Sequence, residues 1–448
     1  MKDTTSQAAP AAVAETPKQA GESTQRKVIL SLGSSAVWTE RMLDTLERGI
    51  KGGQWYSLMD KVWNEKHLLL AAESVIRKDG APGVDGQSCE LLEAHASETV
   101  AELARLLKAE RYEPRPVKRV WIEKLGTKEK RPLGVPTVRD RVVETALLYV
   151  MEPIFERDFA EHSYGFRPGR NAQSAIARVE ALLAQGRVWV VDADLKGYFE
   201  SIPQDKLLKA VGKKIADGGV LRLLEKYLQQ GVMESGKDWQ PTEQGTPQGA
   251  VISPLLANIY LDPLDHLMAG RGREMIRYAD DFIILCHSRA EAEEALAEVA
   301  VWVKEAGLVL HPSKTRIVDA SQTGGFDFLG WHFERGWKWP REKSVTRFKE
   351  VLRQQTSRTH GASLPMIIGR LNRRLQGWGR YFAGGNGSLY ATLDQWLRMR
   401  LRSILRKRER RKGRGRGLDH QRYPNAYFAE LGLISLKALT WAKRANPA

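Results

Sequence analysis

Residues 275–285 have the sequence Met275-Ile276-Arg277-Tyr278-Ala279-Asp280-Asp281-Phe282-Ile283-Ile284-Leu285, with two acidic residues between two apolar stretches. Short apolar stretches on either side of a polar break predict two β-strands joined by a tight turn. The turn would place Asp280 and Asp281 at the end of a buried sheet. Every other predicted element is placed relative to this hairpin.

Two adjacent carboxylates beside a buried sheet are unfavourable unless a cation compensates their charge. Mg²⁺ prefers one or two carboxylates together with substrate phosphate oxygens. The alternative is a turn that faces solvent, since Asp is common in turns. For an isolated Asp-Asp pair that alternative would be the better interpretation.

A second predicted strand, residues 188–195, also ends in carboxylates, which favours a metal site over a turn that faces solvent. Asp192 and Asp194 lie two residues apart and therefore share one face of the strand. A third carboxylate that reaches Asp280 and Asp281 could complete a site for two metal ions about 4 Å apart, the arrangement that nucleotide polymerases use. The spacing alone does not distinguish Asp192 from Asp194.

The remaining pattern predicts an α+β fold. Helical spacing of apolar residues covers much of residues 38–107 and the segments 139–159, 252–268 and 290–306, and residues 326–333 alternate as a hairpin would. No internal repeat is present. This order of strands and helices is typical of an antiparallel sheet with its helices on one face.

At this point the sequence resembles the reverse transcriptases that bacterial group II introns encode. Residues 193–199 are similar to the first catalytic motif of the family, which assigns the metal-binding carboxylate of that strand to Asp194. Residues 278–281 match the second catalytic motif. Residues 128–137 and 163–170 resemble segments of the fingers, and residues 244–254 resemble the loop that contacts template and nucleotide.

The resemblance implies a right-hand polymerase, with fingers and palm followed by an α-helical thumb and maturase domain. The implied division is a disordered leader (1–28), an N-terminal helical extension with the start of the fingers (29–110), the fingers and palm (111–343), and a basic helical thumb and maturase domain (344–448). Asp194, Asp280 and Asp281 would be the catalytic residues and would hold two Mg²⁺ ions, with Mn²⁺ as a substitute.

The resemblance also implies five nucleotide-binding residues: Lys124, Arg131, Phe199, Gln248 and Lys314. Lys124 and Arg131 would neutralise the triphosphate, and Lys314 would lie near the departing pyrophosphate. The ring of Phe199 would reject ribonucleotides by a clash at the sugar. Without the resemblance, Lys124, Arg131 and Lys314 would be interpreted as surface cations. Phe199 would be an ordinary core aromatic residue, and Gln248 would belong to a plain turn. The aromatic hairpin 326–333 resembles the primer grip.

The charge is concentrated at one end of the 448-residue chain. The net charge is +16, and residues 344–448 contain 23 Lys and Arg against five Asp and Glu. Such an imbalance favours a nucleic-acid ligand, because Lys and Arg that neutralise phosphates release counterions. A solvated basic helix and a membrane-surface helix are the alternatives. The predicted RNA-binding residues are Arg373, Arg374, Arg400, Arg402, Arg406, Lys407, Arg410 and Arg411.

Composition excludes several classes of protein. With 42% apolar and 28% charged residues, the chain is neither disordered nor collagen-like, and no apolar run has the length of a membrane span. Two cysteines, and no signal-like segment at the start, favour the bacterial cytoplasm, with association to the nucleoid during action on DNA. The resemblance is to the shorter class without an endonuclease, which would take its DNA primer from elsewhere, for example a nascent replication strand.

We therefore expect an RNA-directed DNA polymerase that binds its parent intron RNA and assists splicing and retrohoming. Its partners would be group II intron RNA, an RNA template with a DNA primer, dNTPs and target DNA, with no membrane. The alternatives are a domesticated or defence-associated reverse transcriptase without an intron partner, and a splicing factor with an inactive polymerase body. RNA-dependent RNA polymerisation is disfavoured by Phe199. The sequence does not determine the oligomeric state.

Overall fold

The structure is a computed structural model that describes residues 30–50, 52–123, 130–234, 239–385, 387–413, 415 and 417–445. The predicted leader (1–28) and Lys124 lie outside the described residues.

The described strands form three sheets. In chain order they are β1 (Val117–Glu123), β2 (Lys130–Val135), β3 (Trp189–Asp194), β4 (Val232–Glu234), β5 (Trp239–Gln240), β6 (Glu274–Tyr278), β7 (Asp281–Cys286), β8 (Arg316–Asp319), β9 (Phe326–Phe328), β10 (Trp331–Glu334) and β11 (Trp337–Pro340).

Helices surround these sheets. In chain order they are α1 (Leu32–Val37), α2 (Glu40–Arg48), α3 (Met59–Val62), α4 (Glu65–Lys78), α5 (Cys89–Ala94), α6 (Ala96–Lys108), α7 (Val138–Glu156), α8 (Ala172–Ala184), α9 (Tyr198–Ser201), α10 (Gln204–Gly212), α11 (Gly218–Gln229), α12 (Ser253–Gly270), α13 (Arg289–Glu305), α14 (Glu342–Gln355), α15 (Leu364–Tyr381), α16 (Gly387–Arg408), α17 (Asp419–Arg422), α18 (Asn425–Glu430) and α19 (Leu436–Ala445).

Several helices begin where the sequence supplies a capping side chain. Asn64 accepts hydrogen bonds from the first N–H groups of α4, Thr137 caps α7 and Ser288 caps α13. Such side chains satisfy N–H groups that have no partner within the helix. The helix α7 that Thr137 starts is almost entirely buried. It is therefore the internal support for the elements around it.

The N-terminal sheet has the strand order β2-β1-β4-β5. Its β1 and β2 form an antiparallel pair, in which Ile122 lies opposite Arg131. Strand β4 runs parallel to β1 on the other side. This sheet places Arg131 at one end of a long hairpin.

The central sheet has the order β6-β7-β3-β8, and all its pairs are antiparallel. Val191 and Ile284 pack into a first core with α7 and α10 to α13, whereas Val190 and Ile283 pack into a second core with α8 and the C-terminal elements. The sheet is therefore covered on both faces, and the expectation of helices on one face was wrong. The physical reason is that consecutive residues of these strands are apolar, so both faces need cover.

The C-terminal sheet has the order β11-β10-β9 and confirms the predicted hairpin at residues 326–333. The rings of Phe326 and Phe333 stack across it at 5.1 Å. Trp378 of α15 stacks on Phe348 of α14 at 4.4 Å. These contacts extend the second core into the C-terminal helices. No helix in the described part of the chain is both long enough and apolar enough to span a membrane.

Candidate active site

The predicted carboxylates lie at the ends of adjacent strands. Asp194 is the last residue of β3 and pairs with Asp281, the first residue of β7. Asp280 lies in the turn between β6 and β7, directly before Asp281. Residues that are separated by more than 80 positions in the sequence are thus neighbours at one edge of the central sheet.

The strand register also gives Asp192 and Asp194 different neighbours. Asp192 pairs with Arg316 of β8, whose Nε donates a hydrogen bond of 3.2 Å to the Asp192 carboxylate. Burial raises the pKa of Asp192, and the bond from Arg316 opposes that shift. Of these two residues, Asp194 lines the cleft at this edge of the sheet and Asp192 does not.

A cleft of about 260 Å³ opens at this edge of the sheet. Its lining includes the carboxylates of Asp194 and Asp280 and, from the predicted nucleotide-binding set, Arg131, Phe199, Gln248 and Lys314. Asp281 is half-buried and does not line the cleft. The structure therefore brings together all described members of the nucleotide-binding set, although their roles stay predictions.

The negative charge at this edge is strongly concentrated. Burial raises the pKa of Asp281 to about 7, and the neighbouring Asp192, Asp280 and Asp194 add to the shift. Burial and Asp194 also raise the pKa of Asp280, whereas Arg131 and Lys314 lower it. The Lys314 ammonium lies 2.5 Å from a carboxylate oxygen of Asp194. The cluster thus attracts cations.

The donor set fits a hard divalent cation. Asp194 and Asp280 offer carboxylate oxygens, which Mg²⁺ prefers, and the cleft leaves room for further oxygen ligands from a substrate. Among the residues that the structure describes, no three Asp, Glu, His or Cys side chains form a cluster that would hold a metal ion by themselves.

The loop that contains Gln248, residues 244–252 and here called the Gln248 loop, is bound on three sides. The N–H of Thr246 donates to the carbonyl of Phe199 at 2.7 Å, and the carbonyl of Gln248 accepts from Gly134 of β2 at 2.7 Å. Gly249 has a φ of +116° and lies so close to the Gly134 carbonyl that a Cβ would be 2.3 Å from it. Only glycine fits such an approach.

The third side of the Gln248 loop is held by Glu144, which sequence reasoning missed. Its buried carboxylate accepts a hydrogen bond of 2.5 Å from the N–H of Val251. The one available signal was an acidic residue at an inward position of the apolar helix α7. That signal marks a buried acid without identifying its partner.

A buried arginine, also missed, supports the turn that carries Asp280. Arg277 of β6 donates to both carboxylate oxygens of Asp265 on α12, at 2.8 Å and 2.9 Å from Nε. Its Nη1 donates to the carbonyl of Ala279 at 3.0 Å. Ala279 has a φ of +60°, an uncommon conformation for a residue with a side chain. Arg277 therefore stabilises the strained residue directly before Asp280.

The predicted RNA-binding cations fall into two groups. Arg373, Arg374, Lys407 and Arg410 are exposed. The others make bonds within the protein: Arg400 donates to Thr356, Arg406 donates to the Lys412 carbonyl and to Asp419, and Arg411 pairs with Glu409 and Asp419.

Arg402 departs most clearly from its predicted role. Its side chain is buried, and its guanidinium donates to the carbonyl of Tyr423 at 2.8 Å and to Asn425 at 2.9 Å. It also lies 5.3 Å from the ring of Phe428. A residue enclosed in this way holds the C-terminal elements together and does not present its charge to RNA, because its polar groups are already bound inside the protein.

The fold and the site together define a nucleic-acid polymerase of the right-hand type. The N-terminal and central sheets are consistent with the fingers and palm of such a polymerase, and the helices from α14 onward form a helical domain. Residues 122–333 match the family described as "Reverse transcriptase (RNA-dependent DNA polymerase)", and residues 345–423 match the "Group II intron, maturase-specific domain".

The chain is also similar to individual proteins. Protein YkfC of Escherichia coli K12 is 33% identical over 353 residues, which cover 69% of this chain and 91% of YkfC. Group II intron-encoded protein LtrA of Lactococcus lactis subsp. cremoris is 38% identical over 172 residues, which cover 38% of this chain but only 28% of LtrA. A solved partial Cas6-RT-Cas1–Cas2 complex is 24% identical, with coverage of 55% of this chain and 42% of that one and a TM-score of 0.35.

The chain belongs to the family of group II intron reverse transcriptases and maturases, which are RNA-directed DNA polymerases.

Proposed function

We propose that the chain copies RNA into cDNA from dNTPs by two-metal nucleotidyl transfer at the cleft. The observation that carries this proposal is the pairing of Asp194 with Asp281 across β3 and β7, with Asp280 in the adjoining turn. Carboxylates beside a cation-lined cleft could hold the two metal ions that stabilise an in-line displacement at a phosphate.

Asp194, Asp280 and Asp281 would hold the metal ions, which we propose to be Mg²⁺ with Mn²⁺ as a substitute. When bound, such ions stabilise the attacking and leaving oxygens of the phosphoryl transfer. Arg131 and Lys314 would bind the triphosphate, and Phe199 would exclude a ribose 2′-hydroxyl from the sugar position. Gln248 would contact the incoming nucleotide from a loop that is held by backbone hydrogen bonds.

Primer extension on an RNA template tests the catalytic assignment. We expect Asp280→Asn to lower the extension rate by more than about 100-fold. Loss of a residue that only supports a metal ligand lowers activity by up to about 100-fold, and Asp280 would be a metal ligand itself. The variant should still bind the RNA template with its DNA primer, because the basic C-terminal surface is unchanged. Full extension by Asp280→Asn would contradict the assignment.

We further propose that the basic C-terminal region binds group II intron RNA, and that the chain assists splicing and takes part in retrohoming into target DNA. The exposed positions of Arg373 and Arg374 on α15, and of Lys407 and Arg410, support this proposal. The match to the maturase-specific domain favours an intron partner over a domesticated or defence-associated role. The bacterial cytoplasm, with the nucleoid as the place of action on DNA, is the proposed location.

Salt-dependent binding to a group II intron RNA tests this surface. We expect the double variant Arg373→Gln/Arg374→Gln to weaken binding and to reduce the salt slope by up to about 2, since each lost phosphate contact removes about 1. The matched control is Arg77→Gln/Lys78→Gln, which neutralises two exposed cations at the end of α4. Equal binding by the two double variants would contradict the proposed surface.

The division of the chain into residues 29–110, 111–343 and 344–448 also remains our proposal. The last boundary lies two residues after the start of α14, the first helix beyond the C-terminal sheet.

A further inference from the structure

The turn that contains Lys314 is hydrogen-bonded to the end of β3. This turn, residues 309–315 and here called the Lys314 turn, lies between α13 and β8. The N–H of His311 donates to the backbone carbonyl of Asp194 at 2.7 Å. The N–H groups of Lys314 and Thr315 both donate to the carbonyl of His311, at 3.2 Å and 3.0 Å, and close the turn. The backbone therefore holds Lys314 beside Asp194.

The side chain of Lys314 returns to the carboxylate of the same aspartate. Its ammonium donates to Oδ2 of Asp194 at 2.5 Å. The lysine side chain is 59% exposed and that of Asp194 is 28% exposed, so the pair is in contact with solvent. An ion pair of this kind is weak, and another cation can therefore replace the ammonium.

The carboxylate that Lys314 contacts is also one that a divalent cation would use. Asp194 pairs with Asp281 across β3 and β7, and Asp280 directly precedes Asp281, so these carboxylates meet at one edge of the sheet. An ammonium and Mg²⁺ both bind carboxylate oxygens, and two cations on one carboxylate repel each other. Binding of a divalent cation to Asp194 is thus opposed by the ammonium.

We propose that Lys314 is an internal competitor of the divalent cation at Asp194. This inference rests on the proposed function and goes beyond the contact with the triphosphate that Lys314 would make. The ammonium belongs to the same chain and the Lys314 turn holds it at the carboxylate, so its effective concentration there is fixed. The pair therefore weakens metal binding and raises the cation concentration at which the site fills.

Binding of Mn²⁺ to the full-length protein, without nucleotide, tests this competition. The electron paramagnetic resonance signal of free Mn²⁺ gives the Kd, and the binding that is lost in Asp280→Asn identifies the site. We expect Lys314→Gln, which removes the charge, to bind Mn²⁺ about threefold more tightly, within the range for an ion pair exposed to solvent. Misfolding would not produce such a gain of affinity.

Two further variants separate direct contact from general electrostatics. Lys314→Arg keeps a cation that can pair with Asp194, so its Kd for Mn²⁺ should be close to that of the wild type. Lys196→Gln removes an exposed lysine that lines the same cleft and makes no ion pair with Asp194 in the described part of the chain. We expect it to change the Kd by less than about 1.5-fold at about 0.15 M salt, since salt screens charges that are not in contact.

An unchanged Kd in Lys314→Gln would overturn the competition, and so would an equal gain of affinity in Lys196→Gln or in Lys314→Arg. These failures differ from failure of the proposed function. If Asp280→Asn loses Mn²⁺ binding while Lys314→Gln binds Mn²⁺ like the wild type, only the role of Lys314 is wrong. If Asp280→Asn binds Mn²⁺ as tightly as the wild type, the metal assignment itself is wrong, and the competition falls with it.

Discussion

At the scale of single residues, Glu144 shows how a buried acid can support a functional loop. Its Oε2 accepts from the N–H of Val251 in the Gln248 loop, whereas its Oε1 has no partner among the described residues. Burial raises the pKa of Glu144 to about 8. The carboxyl group is therefore mostly protonated at neutral pH in the folded protein.

This pKa predicts a pH-dependent stability. Between the ordinary value of 4.5 and about 8, the folded chain binds more protons at this site than the unfolded chain, so the contribution of Glu144 to stability falls as pH rises. Glu144→Gln keeps an acceptor for Val251 and does not titrate. We expect it to raise Tm at pH 8.5 by several degrees, because each pKa unit of the shift is worth about 1.4 kcal/mol, and to raise Tm much less at pH 5.

The measurement is Tm against pH for the wild type and Glu144→Gln. Parallel curves for the two proteins would show that Glu144 does not titrate in this range and would contradict the prediction.

The residues of the site differ in how far the sequence predicted them. Adjacent aspartates between apolar strands pointed to a metal site at Asp280 and Asp281, whereas only the family resemblance selected Asp194 over Asp192. Glu144 and Arg277 were not predicted. Their roles depend on which backbone groups approach them in space, and the local sequence around them contains no sign of those partners.

At the scale of elements, helix α16 joins the C-terminal elements through its buried face. The spacing of Leu397, Leu401, Ile404 and Leu405 predicts a helix around residues 394–412 with these four residues on one apolar stripe. The first three are buried, whereas Leu405 is only half-buried. The helix begins earlier, at Gly387, and ends earlier, at Arg408. The apolar stripe was predictable, but the burial of Arg402 beside it was not, since arginine in a basic helix is normally exposed.

Arg402 and Lys407 on this helix should behave in opposite ways. Arg402→Ala leaves the Tyr423 carbonyl and Asn425 without their buried donor, and we expect a loss of about 2–4 kcal/mol in the free energy of unfolding. Lys407→Ala alters an exposed side chain and should change it by less than about 0.5 kcal/mol.

At a temperature where both variants are folded, their effects on affinity for the intron RNA should rank in the opposite order to their effects on stability. Lys407→Ala should weaken binding, and Arg402→Ala should not. Chemical denaturation and RNA titration measure the two quantities. A stable Arg402→Ala with weak RNA binding would restore the original assignment of Arg402 as an RNA contact.

For the central sheet, the order of the elements predicted the fold class. It did not predict that both faces of the sheet are covered. The strands and their antiparallel order follow from the apolar runs and the turn at Asp280. The second core does not follow from the sequence pattern, because Val190 and Val191 are equally apolar and do not indicate which elements cover each face of the sheet. Those elements include α8 and the C-terminal helices, which are distant in the sequence.

At the scale of the whole molecule, the chain joins a nearly neutral body to a strongly basic C-terminal region. Residues 344–448 contribute a net charge of +18, whereas the rest of the chain contributes −2. Part of this positive charge is used inside the protein, since Arg400, Arg406 and Arg411 bind groups of the C-terminal region itself. Total charge therefore overestimates the surface that RNA can contact.

The cleft is also a property of the whole molecule. Arg131 comes from the fingers hairpin, Asp194 from the palm and Lys314 from a turn that follows α13. Spacing in the sequence could not bring these three together, because each lies on a separate element. The resemblance grouped them as nucleotide-binding residues, and the structure places them around one cavity.

Asp194→Asn and Asp192→Asn form the pair of variants that tests the central claim most directly. Both change a carboxylate of β3 into an amide of nearly equal size, and the two residues lie two positions apart on the same face of the strand. The measurement is the rate of Mg²⁺-dependent primer extension on an RNA template. We predict that Asp194→Asn loses activity by more than about 100-fold, whereas Asp192→Asn, which removes the pair with Arg316 and leaves Asp194, Asp280 and Asp281 in place, retains most of it. Activity that survives in Asp194→Asn would contradict the account.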